Sequence, residues 1–215
     1  MALQIHAYES GPVATFGYLV IDDATRDALI VDAPFGVTAE LTLDAQREGV
    51  TPSALVLTHT HWDHVGDAAE LKRRYPEMLV YVHRDDDYRL VDPMKHTVWP
   101  LPFEVESLSA DRYLAHGDTV AVGGIALTVL HTPGHTEGGI CLYSVEHSSI
   151  FVGDTLFAGS VGRTDLPGGN WETLRTSIAS HLMTLPDDVA VYAGHGETTT
   201  IGVERRTNPF VGEGA

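Results

Sequence analysis

Thr58-His59-Thr60-His61-Trp62-Asp63-His64-Val65-Gly66-Asp67 places three histidines and an aspartate within six residues. The run before it, Ala54–Leu57, is apolar and too short for a helix, while Val65–Tyr75 after it has helical spacing. Imidazole nitrogens and a carboxylate therefore gather where a strand hands over to a helix, and that donor set suits zinc, iron or manganese. A catalytic metal takes three protein ligands, whereas His59, His61, Asp63 and His64 already offer four. The surplus predicts two divalent metal ions and further ligands elsewhere in the chain.

Those ligands should come from other strand ends. Thr132-Pro133-Gly134-His135-Thr136, Gly153-Asp154-Thr155 and Gly194-His195-Gly196 qualify, each coupling a ligand-type residue to a glycine that lets the backbone turn sharply or come close. Further outward, the pattern predicts strands over Ala14–Asp22, Ala28–Asp32 and Leu79–His83, and a helix over Val37–Glu48 that stops at Gly49. Hairpins are predicted over Thr119–Leu130, turning at Gly123-Gly124, and over Gly139–Val145 with Ser149–Val152. Trp171, Leu174, Ile178, Leu182 and Leu185 follow helical spacing, and Val189–Ala193 reads as a last strand. Strands and helices alternate in both halves, which suggests an α+β chain of two packed sheets with helices outside. Arg84–Asp118 is expected to be irregular; its prolines and its aromatic residues Tyr88, Trp99, Phe103 and Tyr113 suit a segment that covers a site.

A length of 215 residues with 43% hydrophobic residues suits one globular domain, 1–215, with a sizeable core. Thirteen basic residues against 30 acidic ones give a net charge of −17, which argues against nucleic-acid and anionic-membrane partners. The single cysteine, Cys141, forms no internal disulfide, and no leader-like or membrane-spanning apolar run is evident. A cytoplasmic, unprocessed chain is the expectation. No G-x-S-x-G motif occurs, and Cys141 has no flanking base, so a side-chain nucleophile finds no support. His131 ends a core-like strand and reads as a hydrogen-bonded structural imidazole rather than a ligand.

THTHWDHVGD at 58–67, TPGHT at 132–136, GDTLF at 153–157 and GHG at 194–196, in that order, resemble the metallo-β-lactamase-fold hydrolases, especially their glyoxalase II-like branch. The resemblance implies a four-layer αββα sandwich with a dinuclear site. It would assign His59, His61 and His135 to one metal, Asp63, His64 and His195 to the other, and Asp154 to both. Only 20 residues follow His195, and the segment Glu204-Arg205-Arg206-Thr207-Asn208-Pro209-Phe210 among them resembles the ending of the short single-domain glyoxalase II-like proteins. Arg163 lies where glyoxalase II enzymes place a basic residue against glutathione, although it could equally be an Arg paired with Asp165.

Two such metals would hold a water as hydroxide near neutral pH, and Asp63 would orient it. The implied activity is hydrolysis of an S-acyl thioester such as S-lactoylglutathione, with Asp63 and Asp154 in catalytic roles. A mononuclear-iron persulfide dioxygenase is the alternative; Gly194-His195-Gly196, which resembles the second-metal histidine of the hydrolases, favours the hydrolase. Zinc is the first choice of metal, with iron and manganese behind it.

Overall fold

The computed structural model describes residues 2–215; Met1, the first residue of the expected 1–215 domain, lies outside them. The chain divides into two compact units, Met1–Leu114 with Ala121–Ile125, and Ala115–Val120 with Ala126–Ala215.

In the first unit, β1 (Leu3–Ser10), β2 (Thr15–Asp22), β3 (Ala28–Val31), β4 (Pro52–Val56), β5 (Leu79–His83) and β6 (Arg112–Leu114) form one sheet in sequence order. β1 to β3 pair antiparallel and β3 to β6 pair parallel. Parallel neighbours need crossovers. These are carried by α1 (Thr38–Glu48), α2 (Trp62–Val65), α3 (Ala68–Arg74), α4 (Asp87–Val91) and α5 (Pro93–His96). Leu19, Ile21, Ile30, Leu55 and Val80 pack with Leu41, Ala45 and Leu71 of the helices in one core. The alternate strand residues Val20, Leu29, Val31 and Val56 are buried as well. Burial of both faces is why these strands read as continuous apolar runs rather than as alternating ones.

The sequence places one helix over Val65–Tyr75, and the structure breaks it into α2 and α3 at Gly66-Asp67. The cause is Asp67, whose N–H donates to the Ala33 carbonyl at 2.9 Å. Its buried carboxylate accepts the Gly36 N–H (2.9 Å), the Thr38 N–H (2.9 Å) and the Thr38 hydroxyl (2.8 Å). Val37, which precedes α1, has no capping side chain, so Asp67 satisfies the first turn of that helix from across the chain. At the other end Gly49, at φ 68°, closes α1 as expected.

Arg84–Asp118 is not wholly irregular. It holds a 3-10 turn at Arg84–Asp86, then α4, α5 and β6. The turn is fixed because the Asp86 side chain is buried against Arg89 and Thr60, and α5 starts on Pro93, where a missing N–H costs nothing. β1 was not expected. Its residues are mostly half-buried, so it carries little periodicity of its own, and its pairing with β2 along all eight residues defines it.

In the second unit, apart from residues 121–125 that group with the first, β7 (Thr119–Val122), β8 (Ile125–His131), β9 (Ile140–Ser144), β10 (Ser149–Gly153), β13 (Ala190–Ala193) and β14 (Thr199–Thr200) form a sheet in the order β14-β13-β10-β9-β8-β7. β11 (Leu156–Phe157) and β12 (Ser160–Val161) make a small hairpin of their own. The hairpin turn at Gly123-Gly124 occurs as predicted. α6 (Trp171–Ser177) runs on through a π-helical turn at Ile178–Leu182, and α7 (Ile201–Thr207) follows β14. Leu174, Ile178 and Leu182 bury against Ile150, Val152 and Val191. Asn170 caps α6 by accepting the Thr173 N–H at 2.9 Å. Among the described residues, no helix is long and apolar enough to cross a membrane.

Asp67→Ala should cost about 3 kcal/mol of stability, because three donors lose a charged acceptor in a buried place. Urea unfolding should show a lower midpoint at unchanged slope. A loss below about 0.5 kcal/mol would show that water replaces the carboxylate at the start of α1.

Candidate metal centre

In the first unit the chain leaves β4 and turns through Leu57–His61 into α2. Asp32, one residue past β3, organises this turn. Its Oδ1 accepts the Thr58 N–H and its Oδ2 the Thr58 hydroxyl, both at 2.7 Å. His64 Nδ1 donates to Oδ2 at 2.8 Å. Because the Thr58 hydroxyl hydrogen goes to Asp32, the same oxygen can accept His59 Nδ1–H, which lies 3.3 Å away. Both imidazoles thereby keep Nε2 as the nitrogen that could coordinate a metal ion. The His59 ring lies 4.9 Å from that of His61 and 4.0 Å from that of His64, centroid to centroid. Asp63 Oδ2 accepts the Thr15 hydroxyl at 2.9 Å and stands 3.6 Å from His64 Nε2. Between the first two histidines, Thr60 is clamped: its N–H donates to Asp86 Oδ2 at 3.0 Å and its hydroxyl to the Asp86 carbonyl at 2.7 Å. Arg89 holds the other Asp86 oxygen at 3.0 Å.

In the second unit, His135, Asp154 and His195 follow β8, β10 and β13. His135 Nδ1 donates to the Arg163 carbonyl at 2.7 Å, which turns Nε2 toward Asp154. Asp154 Oδ2 is 3.5 Å from His135 Nε2 and 3.6 Å from His195 Nε2. A Cβ at Gly162 would overlap the Asp154 carbonyl, and one at Gly134 would overlap the backbone of α6 at Leu174, so both loops close only around glycine.

The separations of 3.5 to 3.6 Å are too long for hydrogen bonds. They match ligands on one ion, since zinc–nitrogen bonds of about 2.0–2.1 Å put tetrahedral donors roughly 3.3–3.4 Å apart. The donor sets of both units thus fit divalent metal ions. Arg163 is different: its side chain grips Asp165 through Nε and Nη2, each at 2.7 Å, on the exposed surface. That grip holds the Asp165 carboxyl down at about 2, chiefly through the hydrogen bond from Arg163. His131 is structural as expected, with Nε2 donating to the Glu137 carbonyl at 3.0 Å.

The model of the metallo-beta-lactamase superfamily matches residues 10–195. The chain belongs to that superfamily. It is 37% identical over 194 residues to the hydroxyacylglutathione hydrolase GloC of Haemophilus influenzae, covering 89% of this chain and 91% of that one. It is 35% identical over 202 residues to the probable metallo-hydrolase YqgX of Bacillus subtilis, covering 94% of each. Among solved structures, the BLEG-1 B3 metallo-beta-lactamase superposes with a TM-score of 0.88 at 34% identity, over 97% of this chain and 99% of that one. TTHA1623 in a di-iron-bound form gives 0.84 at 36%, over 95% and 99%. ETHE1 from Myxococcus xanthus gives 0.79 at 29%, over 97% and 84%. The α+β class expected from the sequence, two sheets with helices, is that of this superfamily, whose fold binds divalent metals, often two.

Sequence reasoning passed over Asp32, Thr15 and Asp86. Asp32 carried a signal, since an aspartate directly after the apolar run Ala28–Val31 is drawn inside with its strand and must then find donors. Asp32→Asn keeps the bulk but loses the charge that orients His64. It should lower metal affinity of the superfamily site by about 10- to 100-fold. Competition with a chelator measures this, and wild-type retention would remove Asp32 from the site.

Proposed function

We propose that the donors of the two units serve one dinuclear centre, with His59, His61 and His135 on one ion, Asp63, His64 and His195 on the other, and Asp154 shared. The chain is a metal-dependent hydrolase by family, and its substrate in this reading is an S-acyl thioester such as S-lactoylglutathione. One observation carries the dinuclear part: Asp154 Oδ2 is faced by two imidazole Nε2 atoms at nearly equal distances, as an oxygen shared between two ions would be. The 37% identity to a hydroxyacylglutathione hydrolase supports the substrate class.

Metal ions held by these residues would supply Lewis acidity and would lower the pKa of a water from 15.7 to about 7. Asp63, anchored by the Thr15 hydroxyl, orients the attacking water. Attack forms a C–O bond at the acyl carbon and breaks the C–S bond; the products are a carboxylate and a thiol, and no electron changes hands. Zinc is the first choice of metal, and the di-iron form of TTHA1623 keeps iron in view. Arg163 serves the anionic part of a glutathione-type substrate by leaving Asp165, which both residues can do at little cost on an exposed surface. Arg84–Asp118 flanks the substrate, with Phe103 stacked on Phe35 at 3.9 Å and Trp99 exposed. A cytoplasmic setting suits Cys141, which is fully buried with its thiol pushed up to about 11 by that burial, and needs no oxidising compartment.

A mononuclear-iron persulfide dioxygenase is the second reading, and the likeness to ETHE1 is compatible with it. The two part under nitrogen. The hydrolase should release free thiol from S-lactoylglutathione without oxygen. Absence of anaerobic thiol release, together with iron-dependent oxygen uptake on glutathione persulfide, would install the dioxygenase instead.

Arg163→Ala should raise KM for S-lactoylglutathione about tenfold while leaving a small neutral thioester unaffected. Equal effects on both substrates would make Arg163 a structural partner of Asp165 only.

A further inference from the structure

Thr132, Cys141 and Thr155 are not among the metal donors, yet all three are buried in the second unit and their side chains meet. Thr132 follows β8, Cys141 stands in β9, and Thr155 comes two residues after β10. The hydroxyl oxygens of the two threonines are 3.2 Å apart, and the Cys141 sulfur lies 3.3 Å from that of Thr132 and 3.7 Å from that of Thr155. Burial keeps the thiol protonated, so it donates, with the Val152 carbonyl at 3.8 Å and Thr155 Oγ1 as its acceptors. Among the described residues, Thr155 Oγ1 has no partners besides Thr132 and Cys141.

Strand pairing does not supply this contact. β8 and β10 flank β9 and share no ladder, so one strand step on either side leaves them roughly 10 Å apart. β9 runs antiparallel to both, with Leu130 opposite Cys141 and Phe151 opposite Leu142. Its first residues therefore lie between the two strand ends from which the chain departs to His135 and Asp154. There the hydroxyls close over Cys141, a side chain small enough to let them meet.

Each threonine is also tied into a loop that carries a donor. The Thr132 N–H donates to the Gly139 carbonyl at 2.8 Å and closes the loop of His135. The Thr155 N–H donates to the Val152 carbonyl at 3.0 Å and closes the turn of Asp154. The bond between the hydroxyls thus links the two loops directly, and His135 Nε2 stands 3.5 Å from Asp154 Oδ2. We propose that Thr155, acting through Thr132, is a positioning residue of the metal centre: the hydroxyl pair, seated on Cys141, sets the spacing of the His135 and Asp154 donors. This rests on the proposed assignment of both donors to a common ion, and not on the number of ions or on the substrate.

Co²⁺ serves as the probe, because its visible spectrum follows the geometry of its ligands. Each Co²⁺-loaded protein is competed with a chelator for affinity, and its spectrum and melting temperature are recorded. Thr155→Val keeps the shape and loses the hydroxyl; it should bind Co²⁺ about tenfold more weakly with an altered spectrum, and Thr155→Ser should restore both. Thr132→Val cuts the same bond from the other side and should act alike, so the double valine variant should lose little more than Thr132→Val alone. His135→Ala, which removes a donor outright, tests the ligand assignment separately: an unchanged spectrum there would overturn that assignment and the positioning role with it. Where that control does change, wild-type affinity and spectrum in both single valine variants, whatever their melting temperatures, would overturn the positioning role alone. So would a serine variant no better than Thr155→Val, or additive losses in the double variant.

Discussion

A carboxylate taken out of water must be met by donors or it costs several kcal/mol, and this chain builds its loops around that demand. Asp32, Asp67, Asp86 and Glu204 are all buried, and only Asp86 has an arginine beside it. The others are satisfied by backbone N–H groups, hydroxyls, amides and one imidazole. Asp32 draws in the first residue of the histidine loop and His64; Asp67 draws in the start of α1. Glu204 does the same in the second unit, accepting from Gly159 N–H, the Thr199 hydroxyl and Asn208 Nδ2 and so tying α7 to the loop after β11. Each carboxylate thereby fixes a loop that regular secondary structure leaves undetermined. Part of the excess of acidic residues is thus structural and lies inside the protein.

How much of this could be read beforehand depended on whether a residue announces its own chemistry. The H-x-H-x-D-H cluster did, being too rare for chance, whereas His135, Asp154 and His195 stood out only in company with it and through the family resemblance. Strands β2 to β4, buried on both faces, were legible as short apolar runs, β5 by its Val and Tyr content, and α1 by its spacing and terminal glycine. β1 and β14 were not, because a half-buried or two-residue strand holds its shape by pairing with a neighbour distant in sequence, and α7 was not because its short turn is fixed by the Thr200 cap and the buried Glu204. The break between α2 and α3 was hidden for a related reason. Val65–Tyr75 has good local helical spacing, and only a contact with Ala33 and Thr38, some 30 residues earlier, overrides it. Arg84–Asp118 misled in the opposite direction: its prolines suggested disorder of form, yet Pro93 begins a helix and Asp86 pins a turn.

The histidines themselves sort by which ring nitrogen the protein occupies. In His64 and His135 a fixed acceptor takes Nδ1–H, a carboxylate in one case and a carbonyl in the other, and Nε2 is the atom that faces an aspartate oxygen at 3.5 to 3.6 Å. His59 follows the same rule through Thr58, so that one carboxylate, Asp32, sets two imidazoles at once. In His131 the assignment is reversed, with Nε2–H spent on the Glu137 carbonyl. His131 stands four positions before His135, yet it carries its hydrogen on the other ring nitrogen. A single acceptor on the far side of the ring thus sets His131 apart from His64 and His135, which the proposed centre uses through Nε2.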